Sequence, residues 1–200
     1  MNISFGKQIP ISQCKLLDKK TDRFVDATLF EFDCKDMSDL YYFKGDNRSW
    51  TYKPHLLRDM FFKRENLAYY NSLSEIQKEA INENRYYALS TENDKLVGIC
   101  ETHGTGNQVD VYYLETEENH RYKYAGQSIL ASLSKQLLNN FTNPVLTVNY
   151  PHNTARNFYI NKCGFKSKDA VSLSMSKKEL SAFVNKFECK TNQPIINFSV

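Results

Sequence analysis

Two hundred residues are enough to bury the core of one domain, and a 41% apolar share with 13 Tyr, 13 Phe, 7 Gly and 5 Pro excludes a disordered or low-complexity chain. The formal charge of +3 is small and dispersed, with no basic stripe, so a nucleic-acid partner is not expected. The five cysteines, Cys14, Cys34, Cys100, Cys163 and Cys189, are odd in number and widely spaced, without the C-x-x-C pairing of zinc or redox sites. They read as reduced thiols of a cytoplasmic protein. Met1 to Pro10 is polar and lacks the apolar run of a secretory leader, and no stretch reaches membrane-span length. Export without a cleaved signal stays open.

Ile9 to Leu17 and Phe24 to Asp33 are β-branched, aromatic and partly alternating about the polar DKKTDR, which predicts an opening hairpin. A short helix capped by Asp36 or Ser38 is expected next, broken at Gly45-Asp46-Asn47. After Pro54, the spacing of Leu56, Met60, Leu67 and Tyr70 predicts an amphipathic helix, and SEIQKEAINEN a second one capped by Ser74. The aromatic residues here read as core, or as the wall of a groove.

From Arg85 the pattern turns to strands: RYYALST, LVGICETHG and QVDVYYLET, separated by turns at Glu92 to Lys95 and around Gly106, form an antiparallel meander. A helix follows from Gly126 to Asn140, then PVLTVNY as a strand, then NTARNFYINKCG as a helix closed by Gly164. FKSKDAVSLSMS reads as one strand, KKELSAFVNKFEC as an amphipathic helix, and TNQPIINFSV as a tail that can add a strand. No repeat or linker divides the chain.

The chemistry concentrates at HRYKYAGQ. A turn that opens a helix favours an anion, because the first helical N–H groups lack intrahelical partners and lie at the positive end of the dipole. Arg121 and Lys123 add positive charge, and Gly126 admits close approach of a ligand. An ordinary solvated connection is the alternative reading. The downstream PHNTARNFYINKCGF, as a helix, would set Ala155 and Tyr159 on one face with Phe158 beside them.

Together these segments, from about Arg85 to Phe165, resemble the GNAT acyltransferase superfamily: a meander, an R/Q-x-x-G-x-G/A turn opening a helix, a further strand, and a helix ending in Y-x-x-x-G-F. The resemblance implies an α/β (α+β) fold, a mixed and mostly antiparallel central sheet flanked by helices, splayed between the family's fourth and fifth strands. It implies one domain over residues 1–200. Residues 1–84 would border the acceptor site, 85–167 form the acyl-CoA-binding core, and 168–200 add a strand, a helix and a tail.

The implied reaction is transfer of an acyl group, most simply acetyl from acetyl-CoA, to an amine by direct attack. The amine is a small molecule or a protein amino group. Backbone positions at Leu114, Glu115 and Thr116 would pair with pantetheine, and Arg121, Tyr122, Lys123, Tyr124, Ala125, Gly126, Gln127 and Ser128 would receive the pyrophosphate. Asn153 and Phe158 complete the cofactor set. Tyr124 stands where the family has its first Gly; a Tyr with negative φ could present its N–H there, but its side chain would crowd or cover the pyrophosphate.

Tyr159 matches the family's proton donor to the departing thiolate, a role for an acid within hydrogen-bond reach of a group of pKa about 8.5. A merely buried aromatic is its alternative. Counting back from Arg121 places Asp110 at the family's base position, with Glu101 on the preceding strand as the next candidate, and a solvent-facing Asp110 equally open. A catalytically inactive GNAT-fold CoA-binding or protein-interaction module is the alternative for the whole chain.

Overall fold

The computed structural model describes residues 9–32, 85–91, 96–104, 106–117 and 120–198. The helices expected between Asp36 and Asn84, and the turn at Glu92 to Lys95, lie outside them. The hairpin forms as expected: β1 (Ile9–Asp18) pairs antiparallel with β2 (Arg23–Phe32), with Cys14 opposite Ala27 and Asp18 opposite Arg23. Alternation of buried and half-exposed residues along β1 puts Ile11, Cys14 and Leu16 into the core.

The meander follows as β3 (Arg85–Thr91), β4 (Leu96–His103) and β5 (Gln108–Thr116), each antiparallel to its predecessor in the sheet. A two-residue strand, β6 (Tyr122–Lys123), pairs with Leu17 and Asp18 of β1. The helix α1 (Ala125–Asn140) crosses back over the sheet, so that β7 (Val145–Asn149) lies parallel to β5. This parallel pair needs the crossover helix; the antiparallel ones close through turns.

Next come α2 (Asn153–Asn157), which runs into a π-helical turn at Phe158–Cys163, then β8 (Lys166–Ser167), β9 (Ser172–Met175), α3 (Lys177–Thr191) and β10 (Ile196–Asn197). The described strands make one sheet in the order β10-β1-β2-β3-β4-β5-β7-β9-β8, with β6 on the side of β1. The fold is thus mixed α/β, with a mostly antiparallel central sheet flanked by helices.

Two expectations need correction. FKSKDAVSLSMS is two short antiparallel strands, because the Asp169 carboxylate accepts from the N–H groups of Val171 (2.9 Å) and Ser172 (2.7 Å) and folds the chain back. The segment after Asn157 is wider than an α-helix, although Gly164 closes it as expected, at φ +86 in the left-handed region.

The described helices α1 and α3 pack on one face. α1 rests on β1 and β4 closely enough that a Cβ at Gly98 would come within 2.8 Å of Ile129 Cδ1. Ile129, Leu130, Leu133 and Leu137 of α1 join Leu16, Leu89, Val111, Leu146, Leu173 and Phe187 in a continuous core. α3 begins with a capping box between Ser176 and Glu179. Its Glu188 takes Lys135 of α1 at 2.6 Å and the Ile195 N–H at 2.8 Å, which ties the C-terminal segment to both helices.

Candidate active site

β5 separates from its neighbour halfway along. Gln108 to Val111 pair with Val145 to Val148 of β7, whereas Tyr112 to Thr116 continue along β4 with no pairing to β7. The departure coincides with an irregularity in the β4–β5 register: Glu101 faces Tyr113 and Thr102 faces Val111, which leaves Tyr112 as the extra residue. A bulge of this kind bends a strand and increases its twist. Beyond it, the backbone groups of β5 on the β7 side are not laddered to β7.

The turn after β5 carries the expected basic and aromatic residues, held differently from expectation. Arg121 does not turn toward the cleft as a phosphate ligand. Its Nε and Nη2 meet Asp18 Oδ1 and Oδ2 at 2.9 and 2.5 Å, and the Asp18 side chain is only 3% exposed. The hydrogen bonds from Arg121, foremost, hold the Asp18 carboxyl well below its ordinary range. The Arg121 carbonyl accepts from the Lys19 N–H at 3.1 Å, so both backbone and side chain are fastened to the hairpin.

Tyr124, at the N-cap of α1, has φ +78, in the left-handed region that costs an L-residue about 1–2 kcal/mol and that glycine enters freely. Its ring packs edge-on to Phe187 at 6.4 Å, with Lys190 Nζ at 4.4 Å and Lys123 Nζ at 5.3 Å over its face. The side chain therefore leans toward α3 as well as bordering the cleft. The Tyr124 carbonyl accepts the first helical bond, from Ser128 N–H at 2.8 Å, which leaves the N–H groups of Ala125, Gly126 and Gln127 without intrahelical carbonyls.

These parts frame a cleft of about 630 Å³. At the turn it is polar and cationic, bordered by Lys19, His120, Tyr122 and Lys123; deeper in it is lined by Leu114, Thr116, Ala155, Phe158 and Tyr159. Gly126 makes room at the junction. A Cβ there would lie 3.2 Å from Phe158 Cζ, 3.6 Å from Thr116 Cγ2 and 3.7 Å from Leu114 Cδ2. Helix N–H groups beside lysines suit a pyrophosphate, and an apolar channel along an unladdered strand edge suits a pantetheine arm, so the residues present fit acyl-CoA.

Tyr159 lies at the inner end, 6% exposed, its ring edge-on to Phe158 and Phe165, each at 5.3 Å. Burial, and the nearby thiols of Cys100 and Cys163, raise its phenol above the ordinary tyrosine value, so it carries its proton at neutral pH. The π-turn lets consecutive Phe158 and Tyr159 both reach the cleft.

Other expected residues lie apart. Glu115 points to the opposite face of the sheet, where its Oε2 accepts from Tyr113 Oη at 3.0 Å. Ser128 is fully buried against Cys14, and Gln127 gives its amide to the Lys162 carbonyl at 3.0 Å while bordering the cleft. Asn153 is exposed at the start of α2, and Thr154 stands on the cleft wall in its place. Asp110 lies in the laddered part of β5, opposite His103 on one side and Thr147 on the other, and its Oδ1 is buried without a hydrogen-bond partner among the described residues.

Sequence reasoning missed Lys19, His120 and Thr154. Lys19 sits in a hairpin turn 102 positions before Arg121, and only the β1–β6 pairing brings it to the cleft.

No protein-family model matches the sequence, and no curated protein sequence matches it. Solved structures do. A protein from Bacillus halodurans is similar at 9% identity over 91% of this chain and 99% of its own, with a TM-score of 0.52. The PaiA N-acetyltransferase of Thermoplasma acidophilum, in complex with coenzyme A, is similar at 17% identity over 76% of this chain and 98% of its own, with a TM-score of 0.45. A mutant of the spermidine N-acetyltransferase SpeG of Vibrio cholerae follows at 13% identity, 78% and 96% coverage, and a TM-score of 0.49. At such identities the likeness concerns the fold. With the hairpin, the meander, the splayed fifth strand, the turn opening α1, the parallel β7, the Tyr159 helix and the antiparallel β9, the chain has the fold that its sequence resemblance to the GNAT acyltransferases implied.

Proposed function

We propose that the chain is an acyl-CoA-dependent N-acyltransferase, a single-domain cytoplasmic enzyme that transfers acetyl from acetyl-CoA to an amine by direct attack. The observation that carries this reading is the convergence of three features on one cleft: the N-terminus of α1, the unladdered edge of β5, and the protonated phenol of Tyr159. Bound acetyl-CoA would supply the activated acyl group. Lys19, Lys123 and the N–H groups of Ala125, Gly126 and Gln127 would hold its pyrophosphate, with Leu114, Thr116, Ala155 and Phe158 around the arm. Arg121 holds the turn in shape through Asp18.

A backbone N–H of β5 beyond the bulge would stabilise charge on the acyl oxygen. Tyr159 would give its proton to the departing sulfur, a step worth typically 10²–10⁴-fold. The amine acceptor would arrive from the far side of the opening between β5 and β7. Nucleic acid is not an expected partner.

Two measurements test this. Calorimetry with coenzyme A and acetyl-CoA is expected to show saturable binding, and its absence overturns the reading. Thiol release from acetyl-CoA is then followed with spermidine, tyramine, an aminoglycoside and a lysine-containing peptide as acceptors. Binding without turnover on any amine would favour the alternative, an inactive CoA-binding or protein-interaction module.

A further inference from the structure

Alongside the cleft runs a second depression, between the π-turn and α3. Its near stretch, about 180 Å³, starts at Gln127 and is bordered by Asn161, Lys162, Lys186, Phe187 and Lys190. Its far stretch, about 320 Å³, passes Ile160 and Cys163 and ends among Lys166, Lys178 and Glu179. Lys162, Phe183 and Lys186 line both stretches, so the two form one groove with an apolar floor and a cationic rim. These lysines make no run in the sequence, and α3 lies beyond the segment, Arg85 to Phe165, that carries the family resemblance.

The groove adjoins the cleft. Gln127 borders both, and its side-chain amide donates to the Lys162 carbonyl at 3.0 Å, which ties the π-turn to α1. Tyr124 borders the cleft, while its ring meets two residues of the groove, Phe187 edge-on at 6.4 Å and Lys190 Nζ at 4.4 Å. The near stretch therefore opens beside the first turn of α1, the end of the cleft that suits a pyrophosphate.

Charge is unevenly spread along the groove. At the far end Lys166 Nζ lies 3.6 Å from Glu179 Oε1, and Glu179 also closes the capping box with Ser176. The near stretch, among the described residues, holds three lysines and no carboxylate. Lys186 and Lys190 are four residues apart on α3 and so share a face, a spacing at which like charges oppose the helix until an anion comes between them. Lys162 and Lys190 lie in the last turns of their helices, where a cation complements the dipole. Lys186 lies before the last turn, so the dipole does not account for it.

We propose that Lys162, Lys186 and Lys190 form a binding site for the 3′-phosphate on the adenosine end of coenzyme A, and so select coenzyme A over its 3′-dephospho form. The site rests on the N-acyltransferase reading above and extends it to a part of the ligand that the α1 turn does not serve. A phosphate monoester carries about −1.5 to −2 charges at neutral pH. The pyrophosphate, one ribose away, already occupies Lys19, Lys123 and the α1 N–H groups, so the monoester needs cations of its own. Ammonium groups make charge-assisted hydrogen bonds to phosphate oxygens. The apolar floor at Phe183 suits the nucleoside beside it.

The test is calorimetry of the full chain with coenzyme A and with 3′-dephospho-coenzyme A, at low and at high salt. Wild type is expected to bind coenzyme A about tenfold or more tightly than the dephospho form, the scale of a charge-assisted contact. That gap should narrow as salt rises, because the lysines lie at the surface. Lys186→Ala is expected to lose most of the gap by weakening coenzyme A alone, and Lys186→Arg to keep it. Lys162→Ala and Lys190→Ala should narrow it. Lys123→Ala, which removes a contact to the shared pyrophosphate, should weaken both ligands alike and leave the gap.

The comparison of the two ligands on wild type needs no variant, and an unchanged urea midpoint for K186A separates a lost contact from a damaged fold. Equal affinity of wild type for both ligands overturns the assignment. So does a gap that K162A, K186A and K190A all retain, or one that K123A alone abolishes, since the 3′-phosphate would then sit at the α1 turn. Failure of wild type to bind either ligand removes the coenzyme A reading itself, whereas equal binding of both removes the groove site alone.

Discussion

Arg121 and Asp18, 103 positions apart, form a two-point ion pair, with Nε on Oδ1 at 2.9 Å and Nη2 on Oδ2 at 2.5 Å. Parallel hydrogen bonds of this kind fix orientation as well as adding attraction. The pair locks the turn before α1 to the hairpin, so the shape of the cleft depends on a residue outside it. Asp18→Asn is therefore expected to weaken acetyl-CoA binding about tenfold or more, the scale on which misplaced binding groups act. Calorimetry checks this, and wild-type affinity in D18N would show that the hairpin does not support the turn. The Asp18 carboxyl is held low chiefly by the Arg121 hydrogen bonds. Its contribution to stability is present above the ordinary carboxylate range and lost as pH falls through the depressed folded value, so acid unfolding of D18N should lack that component.

The same relationship shows what the sequence carries. β1 to β5, α1 and β7 are legible because period-two alternation and helical spacing reflect burial on one face, a property of local residues. The motif residues Leu114, Thr116, Gly126 and Tyr159 do line one cleft. β6, with two residues, exists only because Leu17 and Asp18 offer it a partner. The partner of Arg121, the role of Lys19 and the position of Glu101 at the splay depend on which distant segments pair, and no local pattern encodes that. The π-turn at FYINKC is equally silent, since its composition suits an ordinary helix.

Tyr124 gives a prediction in which two terms of similar size compete. Its left-handed backbone costs about 1–2 kcal/mol, and its edge-on contact with Phe187 returns about 0.5–1.5 kcal/mol. Tyr124→Ala keeps the strain and loses the ring, so it should be destabilised by about 1 kcal/mol. Tyr124→Gly loses the ring and relieves the strain, so it should lie within about 1 kcal/mol of wild type and above the Ala variant. Urea unfolding of the two variants measures the order directly. The reverse order would mean that the strain is absent.

Gly126 separates space from stability. It lies in the first turn of α1, where Ala is about 1 kcal/mol better for a helix than Gly. Its Cβ, however, would stand 3.2 Å from Phe158 Cζ and force that ring to move within the cleft. Gly126→Ala should unfold at no lower urea concentration than wild type while acetyl-CoA affinity falls about tenfold, or about 1.4 kcal/mol. Calorimetry alongside denaturation distinguishes this from general damage, in which both would fall together.

Tyr159 separates binding from chemistry. Its ring packs against Phe158 and Phe165, contacts that Tyr159→Phe retains. Only the hydroxyl is lost, and with it the proton proposed for the departing sulfur. The variant should therefore bind acetyl-CoA as wild type does and lose 10²–10⁴-fold in kcat. The deficit should shrink with an acyl donor whose thiol has a lower pKa, because a better leaving group needs less help from an acid. Because the phenol is raised by burial, its ionisation adds no alkaline limb below the ordinary tyrosine value, and wild type should lose no activity from that source between pH 7 and about pH 10. A Y159F enzyme with undiminished kcat would leave the residue a packing role alone and transfer the protonation of sulfur to solvent.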